Sequence, residues 1–95
     1  MSGTPETLTV EYEENGKILV QELDKVILSK GAWTTILFRY QELDSENDAF
    51  GPDKYTIRRY KKFGGEYRMQ SKFNISSSEQ ARKIVEALSG WLDQV

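Results

Sequence analysis

The residues of this 95-residue chain best suited to chemistry are cations interleaved with aromatic rings. From Lys54 to Lys83 there are 9 Lys/Arg against 2 Glu, whereas from Met1 to Asp53 there are 11 Asp/Glu against 4 Lys/Arg. The formal net charge of −2 hides this division. In Lys54-Tyr55-Thr56-Ile57-Arg58-Arg59-Tyr60-Lys61-Lys62-Phe63, the alternation of a strand puts Lys54, Thr56, Arg58, Tyr60 and Lys62 on one face. Arg68 and Lys72 belong to the polar face of the run that follows. If the two polar faces coincide, a basic ridge forms around Tyr60. Cations neutralise phosphates and a flat ring stacks a base, which is what a single-stranded nucleic acid requires. Trp33, just after Lys30-Gly31, offers a second ring at the sheet rim, or else a core residue. Arg39 extends the ridge. The alternative is a solvated outer face whose Lys and Arg blunt an edge. A merely solvated face usually mixes signs, so the clustering of one sign favours binding.

Other chemistries are poorly supplied. There is no Cys and no His, which removes disulfides, Cys/His metal sites, thiol nucleophiles and imidazole bases. Carboxylates, Lys and Tyr remain, and no pair of them stands out. The expectation is a non-enzymatic protein with no catalytic residues, no cofactor and no small-molecule substrate. Asp44-Ser45-Glu46-Asn47-Asp48 has the oxygen spacing of a calcium loop, but Ala49 to Pro52 breaks the pattern, so no metal is expected. Gly64-Gly65 marks a hairpin turn, since no phosphate-loop context follows it. No apolar run approaches a membrane span, and Met1–Pro5 carries no basic-then-apolar leader pattern. Cytoplasmic residence without membrane contact is the expected location.

The elements that must hold these side chains are mostly strands. Leu8-Thr9-Val10-Glu11-Tyr12 alternates, Asn15-Gly16 follows, and Lys17-Ile18-Leu19-Val20 resumes. Asn-Gly between two such runs predicts a two-residue hairpin, pairing Glu14 with Lys17 and Tyr12 with Leu19. Leu8, Val10, Tyr12, Leu19 and Leu23 would then share a face. Ala32–Leu43, Lys54–Phe63 and Glu66–Ile75 read as further strands. In the last, Tyr67, Met69, Phe73 and Ile75 oppose Glu66, Arg68, Gln70, Lys72 and Asn74. Ser76 with Glu79 reads as a capping box that opens a helix. Within that helix Ile84, Val85, Leu88 and Leu92 form an apolar stripe with Trp91 beside it. One sheet and one helix leave apolar surface uncovered, so these five residues predict a dimer interface.

The segment from Lys54 to Leu92 resembles the positive cofactor four family of single-stranded-DNA-binding transcriptional coactivators. The similarity lies in the Tyr55-Thr56-Ile57-Arg58 strand, in Phe73-Asn74-Ile75-Ser76 before a single C-terminal helix, and in Lys30-Gly31-Ala32-Trp33 upstream. The resemblance implies a curved antiparallel sheet, helices that dimerise, and paired sheets that hold single strands. On matching positions it implies DNA at Arg58 and Tyr60, with phosphates at Lys62, Arg68 and Lys72. Ser71-Lys72-Phe73 departs from the lysine-glycine pair usual in that family.

The sequence thus predicts one α+β domain over 1–95: a flexible N-terminus at 1–6, a curved antiparallel sheet of about five strands at 7–75, and a helix at 76–94. The predicted function is binding of single-stranded DNA or RNA by a homodimer, in a transcription-related role. The nucleic-acid residues are Trp33, Arg39, Lys54, Arg58, Tyr60, Lys62, Arg68 and Lys72. The alternative is a protein-interaction module whose basic face meets an acidic partner.

Overall fold

A computed structural model of the protein describes residues 4–93. A curled antiparallel sheet is followed by one helix, the α+β architecture that the alternating runs predict. The strands are β1 (Tyr12–Glu14), β2 (Lys17–Ser29), β3 (Trp33–Asp44), β4 (Ala49–Phe50), β5 (Lys54–Phe63) and β6 (Glu66–Ile75), and the helix α1 is Ser78–Leu92. The order across the sheet is β1-β2-β3-β5-β6, with the short β4 on the end of β3.

Two tight turns set the register. Asn15 and Gly16 both take positive φ, 54° and 80°, and Glu14 faces Lys17 as expected. A bulge then places Tyr12 opposite Val20 rather than Leu19. Gly64 and Gly65, at 56° and 88°, join β5 to β6 with Phe63 opposite Glu66.

The inner face of the curl holds the core: Ile36, Phe38, Tyr40 and Tyr60, closed by Leu8 and Val10. The last two do not continue β1. They belong to an N-terminal arm that packs into this core, so the expected shared face with Tyr12 and Leu23 is not formed; both of those are exposed. Burial of a Leu- or Val-sized side chain stabilises by roughly 1.5–3 kcal/mol, enough to fix an arm that carries two. Of the N-terminus expected to be flexible, residues 1–3 lie outside the described residues. Thr4 to Glu6 are held: a 3-10 turn spans Pro5–Thr7, and Lys25 Nζ donates to the carbonyls of Pro5 (3.3 Å), Glu6 (2.6 Å) and Leu8 (2.6 Å). Lys30 also pairs with Glu6 at 2.6 Å, which holds that carboxyl below the usual range.

The cap of the helix lies one residue later than predicted. Ser77, not Ser76, is the N-cap, its Oγ accepting from the Gln80 amide at 3.1 Å. Gln80 Oε1 in turn accepts from the Ser76 amide at 2.9 Å. Gln80 thus takes the place assigned to Glu79, but its side chain reaches the amide of the residue before the cap rather than that of the cap itself, so the reciprocal capping box is only half formed. No residue of α1 is buried. The helix meets the sheet at the end of β6, near buried Ile75, and Tyr55 Oη lies 3.3 Å from Ser78 Oγ. Among the described residues, no helix is long and apolar enough to cross a membrane.

Candidate nucleic-acid interface

Cross-strand pairing decides which cations share a surface. In an antiparallel sheet, directly opposite residues point the same way. Phe38 faces Thr56 and Ile36 faces Arg58, so Lys54, Thr56, Arg58, Tyr60 and Lys62 lie on the inner, core-bearing face. The side-chain alternation expected for β5 is therefore present, but its basic face is the one that the N-terminal arm covers.

Tyr60 shows the consequence. It is 5% exposed, inside the cluster formed by Leu8, Val10, Ile36, Phe38 and Tyr40. Burial pushes its phenol above the ordinary value, against the pull of neighbouring Arg58. A ring enclosed on this scale has no free face for a base, so the placement corrects the expectation of an exposed stacking tyrosine. Lys54, on the same face, is occupied by Glu42, whose carboxylate raises the lysine above its ordinary value. Arg58 is half-buried, and its Nε is enclosed with no hydrogen-bond partner. Lys72 lies opposite Arg58, as the ridge requires. Lys62 is exposed above the Tyr67 ring, 5.7 Å from its centroid.

Arg68 is on the other face. The two-residue turn pairs Phe63 with Glu66 and hence Lys61 with Arg68, so the polar faces of β5 and β6 cannot coincide near the turn. A bulge at Gln70 then shifts the register, so that Arg59 pairs with Ser71 and Arg58 with Lys72. Past the bulge the even-numbered residues of β6 cross to the inner side. The same shift splits the expected apolar set: Tyr67 and Met69 lie inside, Phe73 and Ile75 outside. Tyr67 Oη donates to the Gly31 carbonyl at 2.9 Å, tying β6 to the turn before β3. Arg39 is also outside, bonded to Asp53 at 3.1 Å and several rungs from Trp33.

The outer face carries an arrangement that the alternation of single strands did not disclose. Trp33 faces Lys61 across β3 and β5, and Lys61 faces Arg68 across β5 and β6. The Arg59 guanidinium lies 4.2 Å from the Trp33 ring centroid, and Lys61 Nζ lies 5.1 Å from that ring and 5.4 Å from the ring of Phe63. Arg68 is 5.7 Å from the Phe63 centroid. Cation, ring, cation, ring and cation thus follow one another as Arg59, Trp33, Lys61, Phe63 and Arg68. Trp33 and Phe63 are 39% and 41% exposed, so both rings keep accessible surface. Arg59, Lys61 and Phe63 are absent from the expected set because they lie on the opposite face of β5 from Tyr60. The signal that finds them is parity across the Gly64-Gly65 turn.

The division of charge in the sequence becomes a division in space. The row lies at the end of the sheet that holds the Lys30-Gly31 and Gly64-Gly65 turns. Glu13, Glu14, Asp44, Glu46 and Asp48 lie at the other end, where a Lys17–Asp48 pair at 3.3 Å links the two acidic hairpin tips. Hydrogen bonds from Asn47 and the Glu46 amide hold Asp44 below the usual carboxylate range. An anionic polymer is drawn to the first end and repelled from the second.

No protein-family model, curated protein or solved structure matches this chain.

Proposed function

We propose that this protein binds single-stranded DNA or RNA, without catalysis, through the outer-face row Arg59–Trp33–Lys61–Phe63–Arg68. The observation that carries this reading is the alternation of three cations with two half-exposed rings on adjacent strands. A single strand offers the complementary alternation of phosphates and bases, and stacking is tolerant of base identity. The cation–π contacts restrain both rings in the unbound protein and would exchange for phosphate contacts when a strand arrives. Duplex DNA keeps its bases stacked internally and has only phosphates to offer the row. Lys62 and Lys30, near the same end, add to the local field.

The proposed functional unit is a homodimer in the cytoplasm, in a transcription-related role, with Val85, Leu88, Trp91 and Leu92 of α1 at the contact. These four are 60%, 49%, 68% and 66% exposed, which is surface that a lone domain gains nothing by presenting to water. Ile84, also expected there, is half-buried against its own chain.

A fluorescence titration with oligo-dT and with duplex DNA, at two salt concentrations, tests the reading. Oligo-dT binds more tightly than duplex, and its affinity falls with salt at about 0.7 logarithmic units per phosphate contacted. Absence of binding at about 50 mM salt and 100 μM protein, where non-specific binders register, overturns it. An acidic protein partner then becomes the better fit to the same cations.

A further inference from the structure

The inner face carries a second feature, independent of the outer row. Where the curl brings β1 and β6 toward one another, a polar groove of about 410 Å³ opens across the mouth of the sheet. One wall presents Arg58, Lys72 and Asn74, and the N-terminal arm presents Glu11 and Thr9. We infer that this groove binds a small zwitterion of the amino-acid type, its carboxylate on Arg58 and Lys72 and its ammonium on Glu11.

Three observations converge on a dipolar ligand. First, charges of opposite sign line one groove without meeting: among the described residues, Arg58, Lys72 and Glu11 take part in no ion pair within 4.0 Å. The other carboxylate in the groove, Glu42, is already neutralised by Lys54. Second, the basic wall is organised. Thr56 Oγ1 donates to Asn74 Oδ1 at 2.8 Å, which fixes the amide and leaves its Nδ2 as a donor beside the two cations. Arg58 Nε is buried and unpartnered, so this guanidinium has lost water without replacing all of it. Third, Glu11 is held in place. Its amide donates to Thr9 Oγ1 at 3.0 Å, Thr9 Oγ1 donates to Glu22 at 2.6 Å, and Glu11 Oε1 accepts from the Glu22 amide at 3.4 Å. A simple anion would leave Glu11 unpaired and repelling it, and a simple cation would face Arg58 and Lys72. A molecule charged oppositely at its two ends satisfies both walls. The volume lies within the range of small-molecule sites.

The two sources of this chemistry are a free amino acid and a short peptide bearing both termini. NMR titration of the ¹⁵N-labelled protein with glycine, glycylglycine, acetate and methylammonium separates them. Glycine or glycylglycine shifts the Arg58 Nε–H resonance and the amides of Glu11, Lys72 and Asn74. Whichever of the two fits the span of the groove binds the more tightly. The half-ligands acetate and methylammonium bind at least about tenfold more weakly. Glu11→Gln and Lys72→Met each weaken the zwitterion by about tenfold. Oligo-dT affinity stays as in wild type for Glu11→Gln. Both side chains are exposed, so the fold survives these changes, which unchanged amide shifts in the core verify. Acetate binding as tightly as glycine, binding that persists in Glu11→Gln, or no shift with any ligand at about 10 mM each overturns the inference.

Discussion

At the residue scale, two aromatic side chains assigned to nucleic acid by the sequence end in different places: one in the core, one on the surface. Tyr60 lies at the centre of the richest basic run, yet it is enclosed by Leu8, Val10, Ile36, Phe38 and Tyr40. Trp33 sits at a strand start, read as a rim platform or else a core residue, and it ends half-exposed between two cations. Substitution separates the roles. Tyr60→Ala destabilises the fold by about 3 kcal/mol, since it removes a large ring from a packed cluster. Trp33→Ala leaves folding nearly intact and weakens oligo-dT binding by roughly 1–3 kcal/mol with little change in salt slope. Denaturant midpoints and fluorescence titrations of the two variants check both statements. Arg68→Ala lowers affinity and reduces the slope by about 0.7, the share of one phosphate. Tyr60 also gives stability a pH dependence. Burial raises its folded-state value above the unfolded one, so the folded protein favours the neutral phenol. The corresponding stability is fully present below about pH 10 and is lost as pH rises through the higher folded value. Tyr60→Phe removes this alkaline loss, which urea midpoints measured across the window detect.

At the scale of elements, β3, β5, β6, both tight turns and the helix are legible because each has a local cause. Asn15-Gly16 and Gly64-Gly65 supply positive φ at both turn positions, and the alternation of β5 follows from strand geometry alone. What was not legible depends on how elements meet. The basic ridge requires the polar faces of β5 and β6 to coincide. A two-residue loop forbids this near the turn by pairing Phe63 with Glu66, and the bulge at Gln70 restores it only from Lys72 onward. The covering of the inner face by Leu8 and Val10 is also beyond local pattern, since their alternation reads equally well as an extension of β1. Deleting Gln70 tests the bulge. Either the residues on its turn side or those beyond it then change face. If the former, Tyr67 leaves Gly31, and either way stability falls by at least about 1 kcal/mol, the worth of a hydrogen bond or a packed methylene. The cap is a smaller matter of register. Ser77→Ala costs about 1 kcal/mol, because it strips the acceptor from the Gln80 amide. Ser76→Ala costs less, since the amide keeps its 2.9 Å bond to Gln80 Oε1 and only the longer hydroxyl bond, 3.3 Å, is lost. Equal midpoint shifts in the two variants would place the cap elsewhere.

At the scale of the whole molecule, the sheet holds its main core on the inner face and leaves apolar surface open on the outer one. The Cα atoms span 50 × 38 × 17 Å, a slab rather than a sphere. Across four strands of the outer face runs one apolar ladder, Val26–Leu37–Ile57–Phe73, in direct cross-strand register. Its ends, Val26 and Phe73, are 53% and 54% exposed. Next to it stands a helix with no buried residue, whose Leu88, Trp91 and Leu92 face water. Stable domains cover an apolar sheet face with a second layer, and this chain holds too little helix to do so alone. In the proposed homodimer a second copy would supply the missing layer, with α1 and the ladder meeting their equivalents about a two-fold axis. The cations and rings of the row lie two rungs or more from the ladder on the same face, so dimerisation leaves them at the rim of the contact. Leu88→Glu and Phe73→Glu therefore raise the dimer dissociation constant by at least about tenfold each, from the roughly 1.5–3 kcal/mol that each buried side chain contributes. Neither change unfolds the monomer, because both side chains are half-exposed within it. Sedimentation equilibrium reads the outcome. A wild-type protein that stays monomeric at about 100 μM, a concentration at which even a weak dimer populates, removes the helix and the ladder as an interface.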